Sequence, residues 1–324
     1  MNPKTVFELL HSVIEELKAN AQWGTAHVYQ STYNILSLYR GNTDLKFREM
    51  TPTLIKDFEI FLRHRKCTWN TVSTYMKVLK AIYNRAVDYG LAPFVPRLFG
   101  HVHTHVDSRR KRALEAGEMG DLLFSDKNNL DVNKILPDKL VYVRAVFSLM
   151  FMLRGMAFVD IAFLRKTDIQ GNLLIYRRRK TRKLITVRLT KDARDIISQV
   201  MDKYPESPYL FPFISSPEGS EEAYREYQLA LRSFNHRLKA LSDMFAGKIH
   251  LSSYTARHTW ATMAYYCEIH QGIISEAMGH SSITVTETYL KPFKEERIDR
   301  ANRKVISYVK KKAHAVTHGA ESDS

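Results

Sequence analysis

The chain is short of cysteine, glycine and proline, with 2, 13 and 10 of them in 324 residues. Two cysteines, Cys67 and Cys267, cannot build a disulfide framework. So little glycine and proline excludes collagen-like and low-complexity chain and leaves room for long helices. No apolar run approaches the roughly 18 residues that cross a bilayer. Met1 to Lys18 mixes acids, bases and apolar residues at helical spacing, unlike the basic-then-apolar order of a signal peptide. The expectation is an intracellular, cytoplasmic protein. Acidic residues are scarce too: 34 Asp and Glu stand against 49 Lys and Arg, a formal net charge of +15. That balance points to a polyanionic partner, either nucleic acid or an anionic membrane surface. The membrane is the poorer partner, because no segment pairs a basic face with Trp or Phe insertion residues at its ends.

What is present suits a folded protein of two ordinary domains, with 44% hydrophobic residues to fill its cores. From Lys4 to Tyr89 every periodic segment is helical. Val6, Leu9, Leu10, Val13, Ile14 and Leu17 share one face, and Ala26 to Tyr39 forms a second helix. Thr51 caps a third, and Asn70 or Thr71 opens a fourth that runs to Val87, ahead of Gly90 and two prolines. On this last helix Lys77, Lys80 and Arg85 stand beside Tyr75, Tyr83 and Trp69. A basic and aromatic mix suits a helix laid in a DNA groove, and equally a bundle helix with a solvated basic face. The polar stretch from Gly100 to Arg112 reads as an interdomain linker, with Arg109 and Arg110 placed to track a phosphate backbone. His101, His103 and His105 alternate there, but no further ligand cluster accompanies them, so linker is preferred to metal clip.

The remainder is mixed in character. Leu140 to Leu153 is apolar enough for a buried helix. Asn172 to Tyr176 and Leu184 to Leu189 read as strands of a hairpin joined by a basic tip. Helices return at Asp192–Met201, Glu222–Met244, Thr255–Glu268 and Gln271–Met278, and a polar tail from His314 frays. Four features here suit phosphoryl chemistry. Arg154 directly follows the apolar helix, where an arginine must pair, with Asp160 for instance, or face a cleft. The hairpin tip carries Arg177, Arg178, Arg179, Lys180, Arg182 and Lys183, a density that suggests a finger on phosphates. Ser252 or Ser253 can cap a helix whose first turn holds Arg257, a cation set against the helix dipole. His258, beside it, reads as a satisfied core histidine. Gly279 ends one helix, Ser281 or Ser282 starts the next, His280 lies in the turn, and Tyr289 follows about two turns on.

Taken together, the order and spacing of these residues resemble the tyrosine recombinase (phage integrase) family, in the form carried by Bacteroides-type mobile elements. The family pattern is an Arg after a helix, a Lys in a β-hairpin, His-x-x-Arg-His, Leu-Gly-His, and a Tyr nine residues past that last His. Arg154, Lys180, Arg257, His280 and Tyr289 match it. Tyr254 departs from it, standing where the family has His; a phenol can donate to a phosphate oxygen but is a poor base near neutral pH. Asp160 is the candidate for the acidic helper, displaced by a short insertion. The resemblance implies a mainly α fold with a small β-sheet. A helical, SAM-like core-binding domain over 1–100 precedes a linker over 101–112, an α+β catalytic domain over 113–313 and a flexible tail over 314–324.

It also implies a mechanism. Tyr289 attacks the scissile phosphate, a 5′-hydroxyl leaves and a 3′-phosphotyrosine forms, with no cofactor and no metal. Arg154 and Arg257 hold the charge on the non-bridging oxygens, Lys180 protonates the leaving oxygen, and His280 donates to a phosphate oxygen. Lys77, Lys80, Arg109, Arg110 and the hairpin bases are the candidate DNA contacts. Expected partners are double-stranded DNA with inverted-repeat sites, three further copies of the chain on synapsed DNA, and an accessory DNA-bending factor. The alternatives are a type IB topoisomerase, which would relax DNA without exchanging strands, and a non-catalytic DNA-binding regulator on the same scaffold.

Overall fold

Threonines set the starts of several helices in the computed structural model, which describes residues 4–105, 113–124, 137–244, 249–293 and 295–319. Thr5 accepts a bond from the Glu8 amide at the start of α1 (Val6–Ala19). After α2 (Trp23–Tyr39), Thr51 accepts from Leu54 at the start of α3 (Pro52–His64). Thr68 accepts from Thr71 at the start of α4 (Trp69–Asp88). Each hydroxyl satisfies an amide that no helical carbonyl can reach. The start of α4 therefore lies ahead of the expected Asn70 or Thr71, because Thr68 has the extended backbone and the oxygen that a cap requires.

The chain divides into two compact units, Met1–Arg110 with Asp202–Ser233, and Lys111–Met201 with Phe234–Ser324. In the first, α1 to α4 close over a core that includes Leu10, Leu36, Ile55, Phe58 and Met76, all fully buried. Burying each such side chain contributes roughly 1.5–3 kcal/mol. Lys77 and Lys80 are exposed on α4. Arg85 is not free for a groove: it bonds Glu16 at 2.5 Å and the Tyr89 hydroxyl at 2.9 Å. The 202–233 segment is organised by Glu226, whose carboxylate accepts from the amides and hydroxyls of Ser215 and Ser216. The Trp23 indole donates to the Gly219 carbonyl at 2.7 Å.

The second unit opens with α5 (Ala116–Phe124), the apolar α6 (Asp138–Met152) and α7 (Phe158–Ala162). Three antiparallel strands follow in the order β1 (Ile169–Gln170), β2 (Leu173–Arg177) and β3 (Leu184–Arg188). Tyr176 faces Ile185 across the β2–β3 pair. β1 is only two residues long, too short to show a period in sequence. Next come α8 (Lys191–Val200), α9 (Glu221–Ser242), which enters this unit at Phe234, and α10 (Thr255–Tyr266). Last are α11 (Gln271–Ala277), α12 (Ile283–Glu287) and α13 (Glu295–Gly319). α6 packs on α8 and α10. The fold is thus mainly helical with one small sheet. α13 continues past His314, where a frayed tail was expected, because no Gly or Pro stops it before Gly319.

Candidate active site

The site begins where α6 stops. The chain leaves the helix through two consecutive left-handed residues, Arg154 (φ 62°) and Gly155 (φ 66°). A Cβ on Gly155 would lie 2.9 Å from the Arg257 Cα, so only glycine lets α10 pass this closely. The Gly155 carbonyl accepts from Arg257 Nη1 at 2.7 Å. Arg154 is half-buried and, among the described residues, makes no hydrogen bond or ion pair; of the two alternatives for it, the pairing with Asp160 does not form. A non-glycine residue in this conformation costs roughly 1–2 kcal/mol. Strain of that kind gathers at functional sites.

Arg257 lies in the first turn of α10 and is 2% exposed. Its Nη2 donates to the Met278 carbonyl at 2.8 Å and reaches His280 Nε2 at 2.7 Å. A guanidinium only donates, so Nε2 is the acceptor and the single imidazole proton sits on Nδ1. Nδ1 in turn donates to the buried Thr286 hydroxyl at 2.8 Å. Burial, then the cations of Arg257, Arg178, Lys180 and Lys183, pull the His280 pKa down to about 3. The neutral imidazole corrects one expectation: in this arrangement His280 turns its N–H to Thr286 and braces Arg257, and offers no donor to a phosphate.

Tyr289 completes the cluster. Its ring stacks on His280 with centroids 5.1 Å apart, and the Arg257 guanidinium lies 5.4 Å from its centre. The His258 ring lies 4.6 Å from that of Tyr289, centroid to centroid, so the histidine read as a satisfied core residue packs against the tyrosine. The Tyr289 carbonyl accepts from the Thr262 hydroxyl at 3.2 Å, and its amide donates to the Thr286 carbonyl at 2.9 Å. Tyrosine, arginine and histidine therefore meet within one chain.

The hairpin tip divides its basic residues. It is closed by the Arg178 amide on the Lys183 carbonyl, with Arg182 left-handed at φ 60°. Arg177, Lys180, Arg182 and Lys183 are exposed, as a finger requires. Arg179 lies over the Phe163 ring at 3.7 Å. Arg178 departs from the expected finger altogether. It is 6% exposed, and its Nη1 donates to the Gly279 carbonyl at 2.6 Å. Strand alternation carries the signal that would have shown this: Leu174 and Tyr176 point inward on β2, and Arg178 is next in that register. Asp160 is buried, accepts from the Arg179 amide at 2.8 Å and lies 3.9 Å from Arg178 Nε. Burial raises its pKa; the Arg179 amide and the charges of Arg178, Arg257 and Arg179 oppose that rise.

Other expected residues stay apart from this cluster. Tyr254 is 55% exposed at the start of α10, and its side chain bonds nothing among the described residues. Nor does Ser252 or Ser253 cap the helix by its side chain; the Ser252 amide instead donates to the Thr255 hydroxyl at 3.0 Å. Lys77 and Lys80 belong to the other unit. Arg109 and Arg110 lie outside the described residues. The His103 ring rests on Trp69 at 4.9 Å and its amide on Glu59. Thr181 and Thr286 carried no sequence signal, since a lone threonine in a loop or short helix has no distinguishing pattern.

Arg257 and His280 thus meet the ring of Tyr289, and Asp160 lies beside Arg178 and the Arg179 amide at the base of the hairpin that carries Lys180. Such a centre can hold a phosphate diester and offer it an oxygen nucleophile. Comparison with known proteins agrees. Residues 5–97 match the phage integrase SAM-like domain and residues 128–296 the phage integrase family. No curated protein sequence matches significantly. Among solved structures, the integrase of transposon Tn1549 in complex with transposon right end DNA superposes with a TM-score of 0.64. Its identity is 13%, over 94% of this chain and 99% of that one. A lambda integrase dimer bound to a COC' core site gives a TM-score of 0.59 at 14% identity, over 86% and 94% of the two chains. A lambda integrase tetramer bound to a Holliday junction gives 0.58 at 15%, over 87% and 77%.

Proposed function

The chain belongs to the phage integrase family of tyrosine recombinases, and from that premise we propose that it is a site-specific DNA recombinase that cuts and rejoins strands through a 3′-phosphotyrosine on Tyr289. The observation that carries the reading is the stack of Tyr289 on His280 beside the Arg257 guanidinium. The P–O5′ bond breaks as the bond from phosphorus to the Tyr289 oxygen forms, and the phenol proton passes to solvent water. The leaving 5′ oxygen takes a proton from Lys180, exposed on the hairpin tip. Arg154, unpaired among the described residues, and Arg257 hold the charge that grows on the non-bridging oxygens. Arg257 keeps its Nε–H for this purpose, buried and without an acceptor. His280, neutral, keeps Arg257 in place. The phosphodiester energy is stored in the tyrosyl ester, so no nucleotide is consumed and no metal is assigned.

In this reading 1–100 holds DNA, 101–112 links and 113–313 catalyses; the two matched family models, over residues 5–97 and 128–296, support two domains in that order. Lys77, Lys80, Arg177, Arg182 and Lys183, all exposed, are the DNA contacts that the structure leaves available. The substrate is a duplex with inverted-repeat sites, bound by four copies at synapsis, an assembly supported by the lambda integrase tetramer on a Holliday junction. The reaction integrates, excises or inverts the DNA of a mobile element, as the likeness to the Tn1549 integrase supports.

The test uses nicked suicide duplexes with randomised arms. Wild-type protein is expected to capture a subset as adducts that survive denaturation, and the captured sequences supply the site. Tyr289→Phe is expected to bind the same duplexes and form no adduct. An adduct on the phenylalanine variant would overturn the assignment. Plasmid relaxation without strand exchange would favour a topoisomerase.

A further inference from the structure

Arg178 has no part in the chemistry above, yet it is a buried arginine at the centre of the site. Burying a cation is unfavourable unless it is well paired. Here the pairing is incomplete: Nε lies 3.9 Å from Asp160 and has no hydrogen-bond partner. What Arg178 does make is the 2.6 Å bond from Nη1 to the Gly279 carbonyl. The same oxygen accepts from the Thr181 hydroxyl at 3.0 Å. Gly279 is left-handed at φ 64°, and a Cβ there would come within 2.7 Å of Ile185 Cδ1 and 3.0 Å of Arg178 Cδ. The turn that carries His280 is thus pressed directly against the Ile185 and Arg178 side chains of the hairpin. Residues 178 and 181 flank Lys180, and the amide of Arg179 is held by Asp160 at 2.8 Å. Three anchors therefore bracket a lysine that itself bonds nothing among the described residues.

We propose that Arg178, with Thr181, is a positioning residue: a latch on the Gly279 carbonyl that locks the Lys180 hairpin to the His280 turn and so fixes where Lys180 meets the leaving oxygen. The inference rests on the recombinase reading and deepens it. Arg178 touches neither DNA nor the reacting atoms. Its loss acts through the placement of Lys180, and a misplacement of about 1 Å can cost on the order of 10²-fold in rate.

The experiment compares duplexes selected with the wild-type protein in two forms, one with the ordinary phosphodiester and one with a 5′-bridging sulfur, whose thiolate leaves without a proton. Lys180→Ala is the reference. Arg178→Met is expected to lose about 10²-fold in adduct formation on the ordinary duplex and to recover on the sulfur duplex, as Lys180→Ala does. Its affinity for DNA is expected to be unchanged. Thr181→Val, missing one neutral hydrogen bond, is expected to lose no more than about tenfold and to recover in the same way. Should Arg178→Met fail to fold, Thr181→Val, at a half-buried position, decides. Recovery of Lys180→Ala without recovery of the latch variants overturns the latch and leaves the recombinase reading standing. Equal defects on both duplexes, or weakened DNA binding in Arg178→Met, overturn it as well. Absence of any wild-type adduct overturns the parent reading and the latch with it.

Discussion

At the scale of the residue, Arg154 is where the proposed function and stability would part company. Its left-handed backbone, φ 62°, is one a glycine adopts without penalty, and its guanidinium has no partner among the described residues. Arg154→Gly is therefore expected to fold with a melting temperature no lower than wild type. Relief of roughly 1–2 kcal/mol of strain offsets the roughly 0.5–1 kcal/mol that glycine costs in chain entropy. The same change is expected to slow adduct formation by about 10²–10³-fold. A clear loss of stability would show that Arg154 serves the fold. His280 gives a pH dependence with a definite sign. Its folded pKa, about 3, lies below the ordinary histidine value of 6.5. The unfolded chain binds the extra proton first, so His280 contributes stability that is complete above pH 6.5 and is lost as pH falls toward 3. Between pH 6.5 and 5 the slope approaches about 1.4 kcal/mol per pH unit. Denaturant titrations of His280→Gln over that window are expected to show a shallower slope; equal slopes would place a charged imidazole in the folded state. The family spacing located Arg154, Arg257, His280 and Tyr289 in the sequence. The direction of the His280 proton was not legible, because it depends on Thr286, which enters from α12.

At the scale of the element, what could be read followed how much pattern each segment carries. The long amphipathic helices and the β2–β3 hairpin declare themselves by their periods, and β1 cannot. Helix starts slipped where several cap residues compete: Thr68, Asn70 and Thr71 are all plausible, and backbone conformation alone selects Thr68. The basic tip read as a uniform finger because charge density drowned the alternation that sends Arg178 inward. α10 and α12 together hold the backbone of Tyr289, the proposed nucleophile. Thr262 on α10 holds the Tyr289 carbonyl, and Thr286 on α12 holds its amide. On the proposed function, tyrosine and arginine would then act from one chain. A mixture of Tyr289→Phe with Arg257→Ala is expected to form no adduct, since neither chain has a whole site. Adducts at a quarter or more of the wild-type level would mean that the tyrosine crosses between subunits.

At the scale of the whole molecule, α13 leaves a run of apolar side chains uncovered among the described residues. Near its start Phe293 stacks on Tyr265 at 4.3 Å and Arg297 pairs with Glu268 at 2.9 Å. Beyond that, Ile298, Val305, Ile306 and Val309 are exposed. Ile298, Ala301, Val305 and Val309 recur three or four residues apart along one helix and do not close its own unit, a feature in keeping with the proposed docking on a neighbouring copy. Deletion from Glu295 onward removes an exposed ion pair worth no more than about 1 kcal/mol. The truncated chain is expected to fold and to form adducts on a single site but not to recombine two sites. If it unfolds, α13 belongs to its own core; if it recombines normally, the helix has no part in assembly. The first unit has a different consequence, one that concerns how the chain is made. It takes in Asp202–Ser233, and Trp23 waits for a carbonyl 196 residues downstream. A ribosome adding about 5–20 residues per second needs roughly 10–40 s to deliver Gly219. The four-helix core, whose buried side chains all lie within the first hundred residues, can close long before then. A nascent chain paused midway would thus carry a folded core with the Trp23 indole still hydrogen-bonded to water.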